Sequence, residues 1–209
     1  MPDGVIDDYD KTNIGSPMPK FTFGWTNTFR YKNFDLSVFI NGSYGNKVYN
    51  YLSMKLTHMN SPWTNQLNAV NGRAQLVPIN PNKVYEDGTM WYNDVSNVMV
   101  ANPGASIPRA TINDPKDNDR ISDRYIEDGS YIRLKNISLG YTFPKKTIDK
   151  LGLSNLRIYA NIQNLLTITG YDGYDPEIGA STSSVNVYGL DNGRYPSPTV
   201  YSFGLNVSF

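Results

Sequence analysis

The chain has 209 residues, is poor in charge and is rich in tyrosine. Lysine plus arginine number 19, as do aspartate plus glutamate, so the formal net charge is zero and gives no basis for nucleic-acid binding, which needs a clustered basic excess. No cysteine and one histidine leave no material for disulfides or thiolate metal sites and little for Ser-His catalysis. Charged residues make up 18%, below the roughly 25% of a typical soluble domain.

The first regular pattern is a pair of two-faced strands near the N-terminus. Residues 1–19 are acidic and rich in glycine and proline, and they predict a loop. Between residues 20 and 31 the odd positions are mostly aromatic and the even ones are threonine, glycine and arginine, a period of two that indicates a strand. The alternation restarts and covers residues 33–44. The sequence therefore predicts a hairpin with a tight turn.

A long irregular region separates this hairpin from the next two predicted strands. Residues 45–128 show no sustained period and predict a very long loop. Alternation returns over residues 131–143 and 155–167, which are joined by a compact turn. In the first of these strands the apolar side chains change parity part-way. We therefore expect a β-bulge near Lys135–Asn136.

The last predicted strand covers residues 199–209 and follows a second long loop over residues 168–198. It carries no charge, and small polar residues dominate one of its faces. The other face is formed by Tyr201, Phe203, Leu205, Val207 and Phe209. A long strand with these two faces suits a wall between lipid and a wet lumen.

The connections between the five predicted strands alternate between short and long. Short periplasmic turns opposite long external loops are typical of outer-membrane barrels. The sequence thus predicts an all-β, antiparallel, up-and-down transmembrane β-barrel segment, with extracellular loops 45–128 and 168–198 and with Phe209 on the periplasmic side. Five strands cannot close such a barrel, since the smallest has about eight. We therefore expect residues 199–209 to form a sheet edge when the chain is taken alone.

A soluble or surface-tethered carbohydrate-binding β-sandwich is the alternative interpretation, because a sheet with one solvated face also alternates. Solvated faces of soluble sheets usually carry lysine and glutamate, whereas the polar positions here are mainly serine, threonine, glycine and asparagine. The few charged residues in the strands lie toward strand ends or at polar positions. A lipid-facing cation at mid-membrane would cost about 2–4 kcal/mol. This distribution favours the barrel.

The candidate ligand-contact residues are aromatic residues of the predicted loops. Aromatic rings stack on the apolar faces of sugars, although the same rings can instead brace the loops or pack against a partner protein. The candidates are Trp63, Trp91, Tyr92, Tyr171, Tyr174 and Tyr188. Loop carboxylates such as Asp175 show no rigid pairing of the kind that glycoside hydrolysis needs, and the acidic run from Asp114 to Asp119 matches no defined calcium loop. We predict no catalytic residue, no metal ligand and no cofactor.

Seven short motifs stand in order along the chain. They are DGVID (3–7), IGSPMPKF (14–21), NGSYGN (41–46), IPRA (107–110), DRYIEDGSYIRLKN (123–136), QNLL (163–166) and GYDPE (173–177). Together with the terminal Phe209 they resemble the C-terminal end of SusC/RagA-type TonB-dependent outer-membrane transporters. The resemblance spans essentially the whole chain.

The resemblance implies a barrel of about 22 strands with an N-terminal plug, of which residues 1–209 would supply the last five strands. It also implies import of oligosaccharides or peptides with a SusD-like surface lipoprotein, driven by the TonB system. The plug, the TonB box and the signal peptide are expected upstream. The aromatic strand from Tyr201 to Phe209 looks like the signal read by the barrel-assembly machinery, and outer-membrane lipid is the expected surrounding. Neither an enzyme activity nor a nucleic-acid partner is implied.

Overall fold

The computed structural model describes residues 6–112, 114, 117–177 and 188–209. In chain order its strands are β1 (Phe21–Tyr31), β2 (Phe34–Tyr44), β3 (Lys47–Asn50), β4 (Leu76–Pro78), β5 (Val98–Val100), β6 (Ile126–Asp128), β7 (Tyr131–Thr142), β8 (Asn155–Thr169), β9 (Leu190–Asp191) and β10 (Val200–Ser208). The helices are α1 (Tyr51–Thr57) and α2 (Lys145–Ile148), and short 3-10 turns occur between several elements. None of the helices in the described part of the chain combines the length and apolar character that crossing a membrane requires.

The five long strands form one antiparallel sheet in the order β1-β2-β7-β8-β10. Strands β1 and β2 form one hairpin and β7 and β8 form the other. Strands β2 and β7 also pair, although a long region separates them in the sequence. Strand β10 pairs only with β8 within this sheet, so the expected sheet edge over the last residues is confirmed. Strand β1 forms the other edge.

Two β-bulges lie beside one another in the middle of the sheet. On β7, Lys135 has no partner, because Leu134 and Asn136 pair with consecutive residues of β2. On β8 the pairing skips Asn164 and Leu165, and Asn164 adopts a left-handed φ of 52°. Asparagine tolerates that conformation better than most residues. The bulge predicted near Lys135–Asn136 is confirmed, while the bulge on β8 was not predicted.

The bulges keep the apolar side chains of β7 on one face, although their parity in the sequence changes. Rows of apolar residues cross the sheet on this face, and one such row contains Leu36, Leu139, Ala160 and Phe203. The large side chains remain open, with Leu139 48% and Phe203 83% exposed. We call this surface the apolar face.

Glycines on the opposite, polar face make room for large side chains from the neighbouring strand. Arg157 of β8 crosses β7 over Gly140 and reaches Asp35 of β2, with its Nη2 2.6 Å from Oδ2. A side chain at Gly140 would collide with both partners of this ion pair. Tyr159 lies in the same way over Gly204 of β10. The polar face is therefore cross-linked by side chains that lie flat on it.

The described residues divide into two compact units. The sheet unit contains the residues up to Asn50 and from Ile126 onward, and the loop unit contains Tyr51–Tyr125. The sheet unit also holds a small second sheet in the order β6-β3-β9, while the loop unit holds the β4–β5 pair. The region predicted as one long loop thus contains short elements. These strands of three or four residues are too short to produce a detectable period.

Replacing Gly140 with valine tests the close approach over β7. The new side chain occupies the path of Arg157, so the Arg157–Asp35 ion pair should break. We expect the free energy of unfolding to fall by about 1–3 kcal/mol, as overpacking typically costs. Thermal unfolding of the purified protein measures the change. Ser138→Val, two residues along the same face of β7, is the control, and an equal loss in both variants would contradict the role of Gly140.

Candidate functional site

The polar face carries a buried arginine that holds a loop against the sheet. Arg133 of β7 is 3% exposed, and its Nε donates to Thr167 Oγ1 of β8 at 2.8 Å. Its Nη1 donates to Glu177 Oε2 at 2.6 Å and its Nη2 donates to Asp175. Lys135 Nζ donates to the same Glu177 oxygen at 2.6 Å. These contacts fasten the segment that follows β8 to the polar face.

Asp175 is the junction of this cluster. Besides the bond from Arg133, its carboxylate accepts the backbone N–H groups of Glu177 and Ser197, each at 2.9 Å. Burial raises the pKa of Asp175, but the hydrogen bonds from Arg133 and the two amides outweigh burial and hold the pKa below its usual value. The carboxylate is therefore charged at neutral pH. It links β7, the loop after β8 and the segment that leads to β10.

A second buried contact closes the same loop. The Tyr171 hydroxyl donates to Asp191 Oδ2 of β9 at 2.5 Å, and the two residues are 5% and 2% exposed. Burial, together with the Asp191 carboxylate, raises the pKa of Tyr171, so the phenol remains a proton donor at neutral pH. Tyr171 was predicted as a ligand contact. In the structure it braces the loop, which is the other role that the sequence analysis allowed for such rings.

The remaining aromatic candidates of the sheet unit are exposed. Tyr174 is 62% and Tyr188 57% exposed, so most of each side chain is open to solvent. In the loop unit Trp63 is 90% exposed. The residues predicted as the assembly signal lie on or just beyond β10, and all are exposed to some degree: Tyr201, Phe203, Leu205, Val207 and Phe209.

Trp91 and Tyr92 lie together in the loop unit. Their ring centroids are 5.7 Å apart in an edge-to-face arrangement. Both rings line an open groove whose walls also contain Arg73, Gln75 and Arg109. Aromatic surfaces beside guanidinium and amide donors suit a ligand that presents both apolar patches and oxygen acceptors. Of the predicted ligand contacts, these two are the ones that the structure places in a common groove.

His58 forms a cluster with two aspartates that the sequence analysis did not predict. Its Nε2 is 2.9 Å from Asp114 Oδ2 and its Nδ1 is 3.8 Å from Asp119 Oδ2. Asn118 donates to Asp114 through its backbone and its side chain. Burial raises the pKa of Asp114, but the hydrogen bonds from Asn118 and His58 outweigh it, and the pKa is lowered. One nitrogen or oxygen of each of the three titratable residues lies within 4.8 Å of the others, a donor set found around divalent cations.

No local signal could have revealed this cluster. His58 and Asp114 are 56 positions apart, and the chain must fold before they meet. Hydrogen bonds within the cluster use the same atoms that would bind a cation. The geometry therefore describes a brace within the loop unit.

Replacing Arg133 with glutamine removes the cation between Asp175 and Glu177. Their side chains are 11% and 34% exposed, so two partly buried negative charges would lose the positive charge that pairs with both of them. We expect faster hydrogen exchange in residues 171–177 and a loss of about 2–4 kcal/mol in the free energy of unfolding, less than for a fully buried pair because Glu177 is partly solvated. Lys135→Gln is the control, with a loss under about 1 kcal/mol. An unchanged rate of hydrogen exchange in the Arg133 variant would show that Arg133 does not hold this segment on the polar face.

The chain matches known proteins along almost all of its length. No protein-family model matches it. It is 36% identical over 211 residues to TonB-dependent receptor P3 of Formosa agariphila, a match that covers 99% of the chain and 18% of that receptor. It is 33% identical over 210 residues to TonB-dependent receptor P26 of the same organism, with 99% and 19% covered. It is 29% identical over 209 residues to TonB-dependent receptor SusC of Bacteroides thetaiotaomicron, with 99% and 17% covered. The chain thus spans less than a fifth of the length of these relatives.

Solved structures share the fold. The RagAB peptide transporter superimposes with a TM-score of 0.68 at 21% identity, covering 94% of this chain and 18% of that one. The open-open state of the RagAB peptide importer gives a TM-score of 0.63 at 19% identity, with 98% and 20% covered. Sequence identity over nearly the whole chain shows that it belongs to the TonB-dependent receptors, which are proteins of the bacterial outer membrane, and the solved structures show that it shares the fold of the RagAB transporter.

Proposed function

We propose that this chain forms part of the wall and the outer loops of a transporter that imports oligosaccharides or peptides across the outer membrane. The observation that carries the proposal is the exposed apolar face of the five-stranded sheet. Contiguous apolar surface of this extent marks contact with lipid or with another protein. The family is one of receptors and transporters, so we assign the chain no catalytic role.

The dimensions of the sheet suit a bilayer. Strands β1 and β2 have 11 residues each, which corresponds to roughly 36 Å at 3.3 Å per residue. At the usual tilt of about 45° such a strand spans the apolar band of about 25 Å found on outer-membrane barrels. In a soluble sandwich a second sheet would cover this face. The exposure of Phe29 at 56% and Leu205 at 65% favours the barrel over that alternative.

The edges of the sheet support a larger barrel. Open edges within lipid would leave unpaired backbone groups, each at a cost of several kcal/mol. Strands β1 and β10 both form such edges, and the relatives are more than five times as long as this chain. We therefore propose that these are the last five strands of a barrel of about 22, closed by strands from the rest of the receptor and filled by a plug. The TonB system would supply the energy through that remaining part, as the name of the family implies.

The loops supply the outer surface. We propose that the long connections face the outside of the cell, that a SusD-like lipoprotein covers them, and that ligands contact the aromatic residues of the groove beside Trp91. RagAB, which shares this fold, is a peptide transporter, and we therefore propose peptides as well as oligosaccharides as the cargo. Trp63 and Val95, both 90% exposed in the loop unit, are candidate contacts for the lipoprotein.

The two faces of β7 give a matched test of the membrane orientation. Ile137 lies mid-strand on the apolar face, opposite Val38 and Ile162, and Ser138 lies beside it on the polar face. We expect Ile137→Lys to lower the amount of assembled receptor in the outer-membrane fraction strongly, because a lipid-facing lysine at mid-membrane costs about 2–4 kcal/mol. Ser138→Lys should leave assembly close to wild type. Equal amounts of both variants in the outer membrane would refute the proposal.

The groove in the loop unit makes a prediction about transport. Tyr92 is 43% exposed and lines the groove, so Tyr92→Ala should remove a stacking surface. We expect the receptor's affinity for its imported oligosaccharide or peptide to fall by about fivefold to tenfold, as for a moderate binding hot spot. Uptake of labelled oligosaccharide and peptide mixtures by cells that express the receptor measures it. Met99 is exposed on β5 and lies outside the groove, so the control Met99→Ala should have no effect. Equal uptake by both variants would show that Tyr92 does not contact the ligand.

A further inference from the structure

The short connections at one end of the five-stranded sheet carry an excess of lysine. The β1–β2 turn contains Lys32, and the β7–β8 connection contains Lys145, Lys146 and Lys150, all of them exposed. Asp149 is the one acidic side chain in these two connections. None of the ion pairs found in the described ranges includes one of these four lysines. We call this region the lysine edge.

A hydrogen bond and a buried side chain hold the lysine edge on the sheet unit. The Thr142 N–H donates to the Asn33 carbonyl at 2.9 Å, which holds the two connections side by side. Ile148 is 2% exposed, and it anchors the short helix α2 so that the lysines lie on the outside. The nearby cation Arg157 is already paired with Asp35. Lys32 Nζ lies 5.3 Å from the centroid of the Tyr31 ring, but within the described residues no carboxylate forms an ion pair with any of the four lysines.

An apolar groove opens on the apolar face next to the lysine edge. Ala160 forms a low point between Leu139 and Phe203, and Phe34 and Tyr141 lie at the end nearest the lysines. The groove has a volume of about 500 Å³. Leu139 is four positions from Phe143, which corresponds to roughly 13 Å along the strand. At the usual tilt of about 45° Leu139 lies roughly 9 Å below the strand end, level with the upper part of an acyl chain whose headgroup is at that end.

We propose that the lysine edge and this groove together bind one anionic phospholipid. The lysines hold the phosphate, and an acyl chain lies in the groove over Ala160. Charge complementarity selects the anionic headgroup, since basic residues at a membrane surface attract anionic lipids and a zwitterionic lipid has no net charge. Closing the barrel adds strands beside β1 and β10 and leaves this face open to lipid. The inference rests on the proposed function, which places the short connections at the periplasmic surface.

Native mass spectrometry of the complete purified receptor in detergent tests the site, with phosphatidylglycerol and phosphatidylethanolamine as probes. We expect the wild-type receptor to retain one phosphatidylglycerol at least tenfold more strongly than phosphatidylethanolamine. The double variant Lys145→Gln, Lys146→Gln should lose this preference. Ala160→Phe, which fills the groove and keeps the face apolar, should lower retention of phosphatidylglycerol about tenfold. The control Lys20→Gln, Lys55→Gln removes two exposed lysines outside the lysine edge and should change nothing.

The outcomes separate the lipid site from the proposed function. Equal retention of the two lipids, or a preference that survives both test variants, overturns the site while leaving a receptor found in the outer membrane intact as a transporter. Preferential retention of lipopolysaccharide over phosphatidylglycerol overturns the commitment to a phospholipid. Absence of the receptor from the outer-membrane fraction overturns the proposed function itself. If the lysine variant fails to assemble, Ala160→Phe decides the question alone.

Discussion

The structure depends on one extra residue in β7. Because Lys135 bulges out of the pairing, Ile132 and Leu134 share a face with Ile137 and Leu139. Without the bulge, Arg133 would turn toward the apolar face and away from the loop carboxylates that pair with it. With it, Arg133 points to the polar face and meets its two carboxylates. The apolar face and the loop attachment thus follow from the same irregularity.

The polar face serves as the attachment surface for the loops. Its glycines allow Arg157 and Tyr159 to lie across neighbouring strands, and its buried arginine fixes Asp175. The loop after β8 is therefore held by charged hydrogen bonds and by the Tyr171–Asp191 contact, with few apolar side chains buried around them. Charge-assisted bonds are directional, so they position the loop more sharply than apolar packing would. Such fixed positions suit the proposed role of the loops in contacting a ligand.

The two ends of the sheet differ in how their charges are satisfied. At the long-loop end, Arg133 and Lys135 are paired with carboxylates from the loop itself. At the short-turn end, four exposed lysines lie beside aromatic rings, with Phe34 and Tyr141 centroids 4.7 Å apart. Aromatic residues next to basic ones are typical of a membrane interface. The same asymmetry that orients the chain also creates the proposed lipid site.

The sequence by itself determined the strands, the bulge at Lys135, the open edge at β10 and the alternation of short and long connections. These features follow from a period of two and from turn residues, which are local in the chain. Only the tertiary structure decided the rest. Arg133 meets Asp175 across 42 positions, His58 meets Asp114 across 56, and Tyr171 is buried although its neighbours in the sequence resemble those of an exposed loop. Such contacts depend on which strands become neighbours. Short elements such as β4 and β5 are also not predictable from the sequence, because three residues are too few to show a period.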